Sequence, residues 1–464
     1  SMFLKYTGTL DSACTITIAP NTVSKLWFIE NATSGSQSII IKQGSGATIT
    51  IATGQTKAIY SDGAGSGGKM VDAFATLSVV DLLVDDDLTV TGSVAVTGDY
   101  SSATSGTSNL RLGVNAGNSI ASGGNYNVTV GDEAGTAITT SDYNTVVGYA
   151  AGTAINTGGD NTIVGGLAAD ALTTGFNNVA MGRNALSTED TGRYNVAIGM
   201  NTLRDQNADV DNYNTAVGYA AGGDITTGVR NTLIGGLAGD ALTDGNDNIA
   251  IGYQALTADT QGDNSVAIGN NALFSQNGTN GNVYNVAIGK NAGFAVTTGT
   301  NNTLIGGLAG DAITDADGNI AVGSLALSAN TVGSSSVAMG YAALATQNPA
   351  TATTMYNTAV GASAGTAITT GIRNIIMGGL AGDALTDADF NIGIGHQSLT
   401  ADTKGSKSTA VGYRTLANQN FSTSTDSHNT AIGNDAGLSV TTGVRNTLIG
   451  SRTGDAFTDA DYNV

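Results

Sequence analysis

Cysteine is nearly absent from this 464-residue chain: Cys14 stands alone, so no intramolecular disulfide framework and no cysteine-bound zinc can form. Histidine occurs twice, as His396 and His428, which leaves little material for hydrolytic triads or histidine metal sites. Two prolines and no three-residue period exclude a collagen-like rod. Basic residues are scarce. The 17 Lys and Arg stand against 37 Asp and Glu, and a net charge of −20 offers phosphates no attractive field, so no nucleic-acid partner is expected. No apolar run reaches the ~18 residues of a membrane span, so the chain is not expected to be membrane-embedded. Ser1 ahead of Met2 reads as a tag remnant, and the next residues turn polar without the apolar stretch of a secretory signal. Charged residues make up only 12% of the chain, yet 41% are hydrophobic, which argues against disorder.

Glycine is abundant, at 66 residues, and its placement organises the chain. From residue 109 a phrase recurs: Asn, a β-branched residue, a small residue, an aliphatic residue, Gly. The glycines run from Gly113 to Gly450, and the spacing is 17 in fourteen of nineteen intervals, with exceptions of 18 to 21. From Gly165 the long intervals recur every fourth coil, so Gly165, Gly235, Gly306, Gly378 and Gly450 mark a superperiod of 70 to 72 residues. Such periodicity is the signature of a solenoid. No segment sustains a 3.6-residue period, so the reading is all-β: a parallel β-solenoid, or β-roll, of about 20 coils.

Counting the Asn as position one, positions two and four share a strand face and are expected to enter the coil core. Position five is Gly, and position eight is Ala, Ser or Thr, where a second segment must pack closely. Stacked asparagines at position one can form a hydrogen-bonded ladder; Ser265, Ser336 and Ser408 replace Asn there. Position three is expected to point away from the core. It is usually Ala, as in Ala180, Ala197 and Ala216, and becomes Ile163, Leu233, Leu304, Ile376 and Leu448 in the marker coils. An apolar outer face should be buried against another copy, so a parallel homo-oligomer is expected. Twenty coils at ~4.8 Å give a rod of about 95 Å.

Residues 1–75 differ in texture. Short apolar or alternating segments (Thr15 to Ile18, Leu26 to Ile29, Ile39 to Ile41, Thr48 to Ile51, Ala58 to Tyr60) suggest a small β-sandwich or barrel, with Trp27 in its core. Residues 76–108 include Leu88-Thr-Val-Thr-Gly92 and Val94-Ala-Val-Thr-Gly98, read as a short intertwined β connector between chains. The solenoid shaft then occupies 109–464. It stops at the opening of another coil, so a continuation is expected.

Three features are candidate sites. Acidic turns carry Asp315 and Asp317, Asp387 and Asp389, and Asp459 and Asp461, whose oxygens could serve Ca²⁺; solvated turns with Asx capping are the alternative. No other metal, cofactor or catalytic residue is expected. Extended loops span Asp205 to Tyr213, Ser275 to Tyr284, Thr346 to Tyr356 and Asn418 to His428; repeated polar loops on a rigid scaffold suit multivalent binding. Tyr143, Tyr213, Tyr284 and Tyr356 each precede a position-one Asn, as an aromatic ladder or as sugar-stacking platforms.

The phrases Asn214-Thr-Ala-Val-Gly-Tyr-Ala-Ala-Gly222 and Asn195-Val-Ala-Ile-Gly199 resemble the head repeats of trimeric autotransporter adhesins, which implies a parallel homotrimer of β-rolls. The stretch Leu26-Trp-Phe-Ile-Glu-Asn-Ala-Thr-Ser-Gly-Ser-Gln-Ser38, with Ile59-Tyr-Ser-Asp-Gly63 and Leu88-Thr-Val-Thr-Gly92, looks like tail-fibre proteins of marine bacteriophages. A phage fibre is made in the host cytoplasm and freed by lysis, which suits a chain without a signal. The resulting expectation is a non-enzymatic virion tail fibre, a structural and adhesive shaft for host attachment. Its partners would be copies of itself, other virion tail proteins, and a host surface glycan or outer-membrane receptor. The alternatives are a glycan-degrading fibre, which would need paired carboxylates in a groove, a cell-surface trimeric adhesin head, and an ice-binding solenoid displaying Thr-Thr-Gly turns.

Overall fold

The computed structural model describes residues 2–74, 104–278 and 281–464. The chain divides into two compact units, Ser1–Thr97 and Gly98–Val464. The proposed β connector lies almost wholly outside the described residues.

Among its described residues the first unit contains seven strands: β1 Phe3–Thr9, β2 Cys14–Thr17, β3 Ser24–Ser34, β4 Ile39–Lys42, β5 Ile49–Ile51, β6 Thr56–Asp62 and β7 Met70–Asp72. They form two sheets, ordered β1-β3-β6-β7 and β2-β4-β5. β1 runs parallel to β3 and β2 parallel to β4, while the remaining pairs are antiparallel. Ile18, Ile29, Ile39, Ile41, Ile51, Ile59 and Met70 make the shared core, and Trp27 packs against it. Alternation in β4 follows the pleat: Ile39 and Ile41 point in, while Ile40 and Lys42 are half-buried. The expected small β-sandwich is therefore present, with β1 and β7 added to the strands read from the sequence. Inside it, Asn31 donates to the Ile51 carbonyl at 2.9 Å and accepts from the Thr33 hydroxyl at 2.6 Å.

The second unit is a parallel β-solenoid. Twenty strands of three residues, from Leu110–Leu112 to Thr447–Ile449, stack in one sheet. Each pairs with the next in step, as in Thr215 with Thr232, Ala216 with Leu233 and Val217 with Ile234. Among the described residues no pairing joins the last strand to the first, so the sheet is an open ladder. Strands occupy positions two to four only. After Gly at position five, the chain turns through left-handed residues at positions seven and nine, such as Leu237 (φ 57°) and Gly239 (φ 55°). The Ala at position eight, between them, is buried against the strand, as Ala238 is. The second packing segment is thus a chain of tight turns.

The strand faces are the reverse of the sequence expectation. Position three points into the coil: Val146, Ile163, Ala180, Ala197, Ala216 and Leu233 are fully buried. Positions two and four face outward. The reason is the narrow bore of a 17-residue coil, which is filled jointly by positions three, nine and twelve. Where position three is Leu233, position nine is Gly239; where position three is Ala250, position nine is Leu256. A Cβ on Gly239 would stand 2.8 Å from Leu233 Cδ2, so the two positions share one space.

Candidate interaction surfaces and the buried latch

Asparagine builds the spine of the solenoid. Asn231 is fully buried; its Oδ1 accepts the Asn248 N–H at 3.0 Å, and its Nδ2 donates to the Gly245 carbonyl at 2.8 Å. The pattern repeats coil after coil, for example at Asn144, Asn302 and Asn374. It satisfies backbone groups that a buried turn would otherwise orphan. The ladder read from the sequence is structural.

Where Ser replaces Asn, a glutamine closes the gap. Gln276 Nε2 donates to Ser265 Oγ at 2.9 Å, and Gln276 Oε1 accepts from Asn285 Nδ2 at 2.9 Å. Gln347 and Gln419 do the same beside Ser336 and Ser408. Gln206 occupies the same place in the Asn195 coil, and the coil before each of the four glutamines carries a second buried polar side chain at position twelve: Glu189, Asp259, Asn330 and Asp402. Sequence reasoning missed these residues. The available signal was position twelve changing from Ile, Leu or Val to Glu, Asp or Asn and then to Gln in the two coils ahead of the long interval of each superperiod.

These acids hold the extended loops. Asp259 Oδ1 accepts the Gly262 N–H of its own turn (2.9 Å) and the Gly278 N–H of the loop (3.1 Å), and its Oδ2 accepts from Gln276 at 2.5 Å. Asp402 accepts from Gly405, Phe421 and Gln419 in the same way. Burial pushes both carboxyls above the ordinary carboxylate range, partly offset by the glutamine and backbone donors. Asn330 instead exchanges two hydrogen bonds with Gly333. The loops also add short parallel strands to the preceding coil, such as Gly333–Ser334 with Thr353–Thr354 and Gly405–Ser406 with Thr425–Asp426. Their tips remain exposed on a fixed base. Enclosed in the core, Glu189, Asp259 and Asp402 cannot meet a polymer substrate.

The acidic turns are not brought together; each sits in its own superperiod. Asp317, Asp389 and Asp461 each accept a backbone N–H of the preceding coil, from Thr300, Ile372 and Val444 at 2.7, 2.7 and 2.8 Å. Asp315, Asp387 and Asp459 accept the hydroxyl of the preceding Thr. Among the described residues no group of three or more His, Cys, Asp or Glu is placed to hold a metal ion. The bonds seen therefore tie one aspartate of each turn to the preceding coil and the other to its neighbouring hydroxyl, rather than forming the Asx caps expected within the turn. Threonine hydroxyls at position thirteen are likewise occupied, as Thr226 and Thr243 donate to carbonyls of the next coil.

The outward face of the sheet is apolar along position four in every coil, while position two is Thr in nine of the twenty strands. Exposed residues at position four include Met181, Ile198, Ile234, Met339, Met377 and Ile432, and at position two Ile249, Ile320 and Ile375. Tyrosine flanks this stripe. Of 15 tyrosines, all but Tyr6, Tyr60 and Tyr100 lie either just before the Asn or at position six. Tyr126 stacks on Tyr143 at 5.0 Å and Tyr194 on Tyr213 at 4.9 Å, while Tyr284 and Tyr356 stand exposed at the same coil position. Tyrosine stacking among the described residues is thus confined to two pairs of adjacent coils and does not join the four expected tyrosines into a ladder.

No protein-family model, no curated protein and no solved structure matches this chain.

Proposed function

We propose that the chain is the shaft of a structural, adhesive fibre: a bacteriophage tail-fibre protein that assembles as a parallel homotrimer and serves attachment to a host cell. The observation that supports this most is the outward stripe of positions two and four. Its position-four column is Leu, Val, Ile or Met in all twenty stacked strands, a row of about 95 Å at ~4.8 Å per strand, while position two alternates Thr with Val, Ile and Leu. A continuous outward apolar row of that length is unusual on a monomer, where surface apolar residues are normally scattered singly. An uninterrupted apolar strip along a rod suits packing of identical rods side by side in register. The extended loops, all at one place in the coil, would then be displayed at intervals along the outside.

This reading assigns no catalysis to the chain. It places the protein on the virion, assembled in the host cytoplasm and extracellular after lysis, with other tail proteins and a surface glycan or outer-membrane receptor as partners. Two measurements test it. Light scattering coupled to size exclusion should give three times 46.1 kDa. Antibodies against the chain should decorate phage particles as fibres; particles without the protein would end the phage assignment.

A further inference from the structure

The four superperiods are an internal comparison. Their apolar coils are nearly identical, as in Asn231-Thr-Leu-Ile-Gly-Gly-Leu-Ala-Gly-Asp-Ala241 and Asn302-Thr-Leu-Ile-Gly-Gly-Leu-Ala-Gly-Asp-Ala312. The loops and the column just before the Asn are not. In three successive coils that column reads Tyr213, Arg230, Asp247 in the first superperiod and Tyr284, Asn301, Gly318 in the second. It reads Tyr356, Arg373, Phe390 in the third and His428, Arg445, Tyr462 in the fourth.

The arginines differ in their partners. Arg230 is neutralised by Asp247 through two bonds of 2.7 and 2.8 Å. Arg373 instead lies over the Phe390 ring, 5.3 Å from its centroid, and Arg445 over the Tyr462 ring at 5.2 Å. Among the described residues neither has a carboxylate within 4.0 Å, in a chain of net charge −20. Tyr356 and Phe390, on either side of Arg373, are 57% and 43% exposed. Each backbone is fixed: Arg373 N–H donates to Met355 O at 2.8 Å, and Phe390 N–H to Ile372 O at 3.0 Å.

The same two superperiods have the longest loops, closing intervals of 21 residues against 19 and 20. Their exposed tips are hydroxyl-rich, with Thr351 and Thr354 in one and Ser422, Thr423 and Ser424 in the other. An aromatic face stacks on the C–H face of a sugar ring. A guanidinium without a carboxylate partner pairs with a carboxylate in a two-pronged geometry; Arg445 donates one N–H to the Tyr462 hydroxyl and keeps its others for such a pair. Hydroxyl tips exchange hydrogen bonds with sugar hydroxyls.

We propose that Tyr356–Arg373–Phe390 and His428–Arg445–Tyr462, each with its loop tip, are two binding sites for an acidic saccharide, a sugar chain carrying ring carboxylates. The first two superperiods lack the site. Four coils separate the pair, about 19 Å along the rod, so one polymer chain can engage both. The proposal deepens the attachment reading and rests on it for its biological meaning, though the chemistry stands on the geometry.

Titration calorimetry of the full chain with a hexuronic acid tetrasaccharide, and with its neutral hexose counterpart, tests it. The hexuronate should bind at two sites per chain and at least tenfold more tightly than the hexose. The double variant R373Q/R445Q should lose at least tenfold, and F390D, which copies the Asp247 pairing, should silence the third-superperiod site. Unchanged thermal unfolding and unchanged mass would show that these variants are intact. Absence of hexuronate binding, equal binding of the hexose, or binding unaffected by R373Q/R445Q would overturn the proposal. Particle decoration and mass decide the fibre reading separately, so either can fail alone.

Discussion

Gln276 donates to Asp259 at 2.5 Å with both side chains sealed from solvent, and the same carboxylate holds the N–H of Gly278 in the adjoining loop. A loop on the surface is thereby tied to a charge inside the coil. Gln276 passes the link on to Asn285, the next rung of the asparagine ladder. Asp402, Gln419 and Asn429 repeat the connection two superperiods later. Scaffold and loop are therefore one hydrogen-bonded object.

The buried acids set a pH dependence. Burial raises the carboxyls of Asp259 and Asp402, and those of the half-buried Asp170, Asp240 and Asp311. A folded state with a raised carboxyl pKa holds its proton where the unfolded chain has released it. Stability from these groups is complete below the unfolded value, near ~4, and is lost as pH rises through the folded value. Asp247, held down by Arg230, acts in the opposite sense. The solenoid should melt at a higher temperature at pH 5 than at pH 7.5, and D259N/D402N should flatten that slope. A melting temperature that falls steadily on acidification to pH 5 would contradict the assignment.

The asparagine ladder predicts a local effect. Asn231→Ala leaves the Asn248 N–H and the Gly245 carbonyl without partners in a sealed interior. Two unsatisfied buried groups at about 1–3 kcal/mol each give a loss of about 2–6 kcal/mol. Because each coil contacts its neighbours only, the damage should stay local. Hydrogen exchange should speed up in the coils flanking residue 231 and remain slow beyond a few coils.

Much of this was legible in the sequence, and the failure has a specific cause. Gly235, Gly252 and their equivalents gave the period and the number of coils, because each needs a backbone that only glycine adopts easily. Asn231 and Asn248 announced the ladder, since an amide both donates and accepts. The orientation of the strand is not settled by period-two alternation, which leaves two choices and favours the bulkier Val and Ile as the inner set. The coil interior is too narrow for that: Ala250 faces inward beneath Leu256. Reading positions three and nine together, Leu233 with Gly239 and Ala250 with Leu256, would have decided the matter. The Asp259–Gln276 pair was missed because a lone Asp in a repeat reads as a solvated turn. The 17-residue register that sets Asp247 beside Arg230 and Phe390 beside Arg373 carried the signal for the two arginines' different partners.

Glycine at position five permits a sharp test. Gly235 has φ 137°, and a Cβ there would stand 2.4 Å from the Gly252 carbonyl oxygen of the next coil. Gly235→Ala therefore meets backbone strain and a clash with main chain that cannot step aside, a loss of at least about 3 kcal/mol. The adjacent Gly236 has only the Tyr253 ring near its Cβ direction, at 3.6 Å. Gly236→Ala should be nearly neutral. Limited proteolysis should cut G235A near the substituted coil and leave G236A as resistant as the parent chain.

The outward stripe decides the assembly. Ile198 and Ile234, at position four of their coils, are exposed in the single chain at 36% and 39%, although the inner face of the same sheet is fully covered. If three rods pack through this face, a lysine at either place would lie in an apolar seam, where an unpaired charge is strongly disfavoured. Ile198→Lys/Ile234→Lys should shift the mass from three times 46.1 kDa towards 46.1 kDa, while the circular dichroism of the coils is kept. A lysine at the loop tip, Thr351→Lys, sits on a different part of the coil and should leave the mass unchanged. Were the parent chain itself a monomer, the stripe would face water along the whole rod, and the packing argument for a fibre would fall.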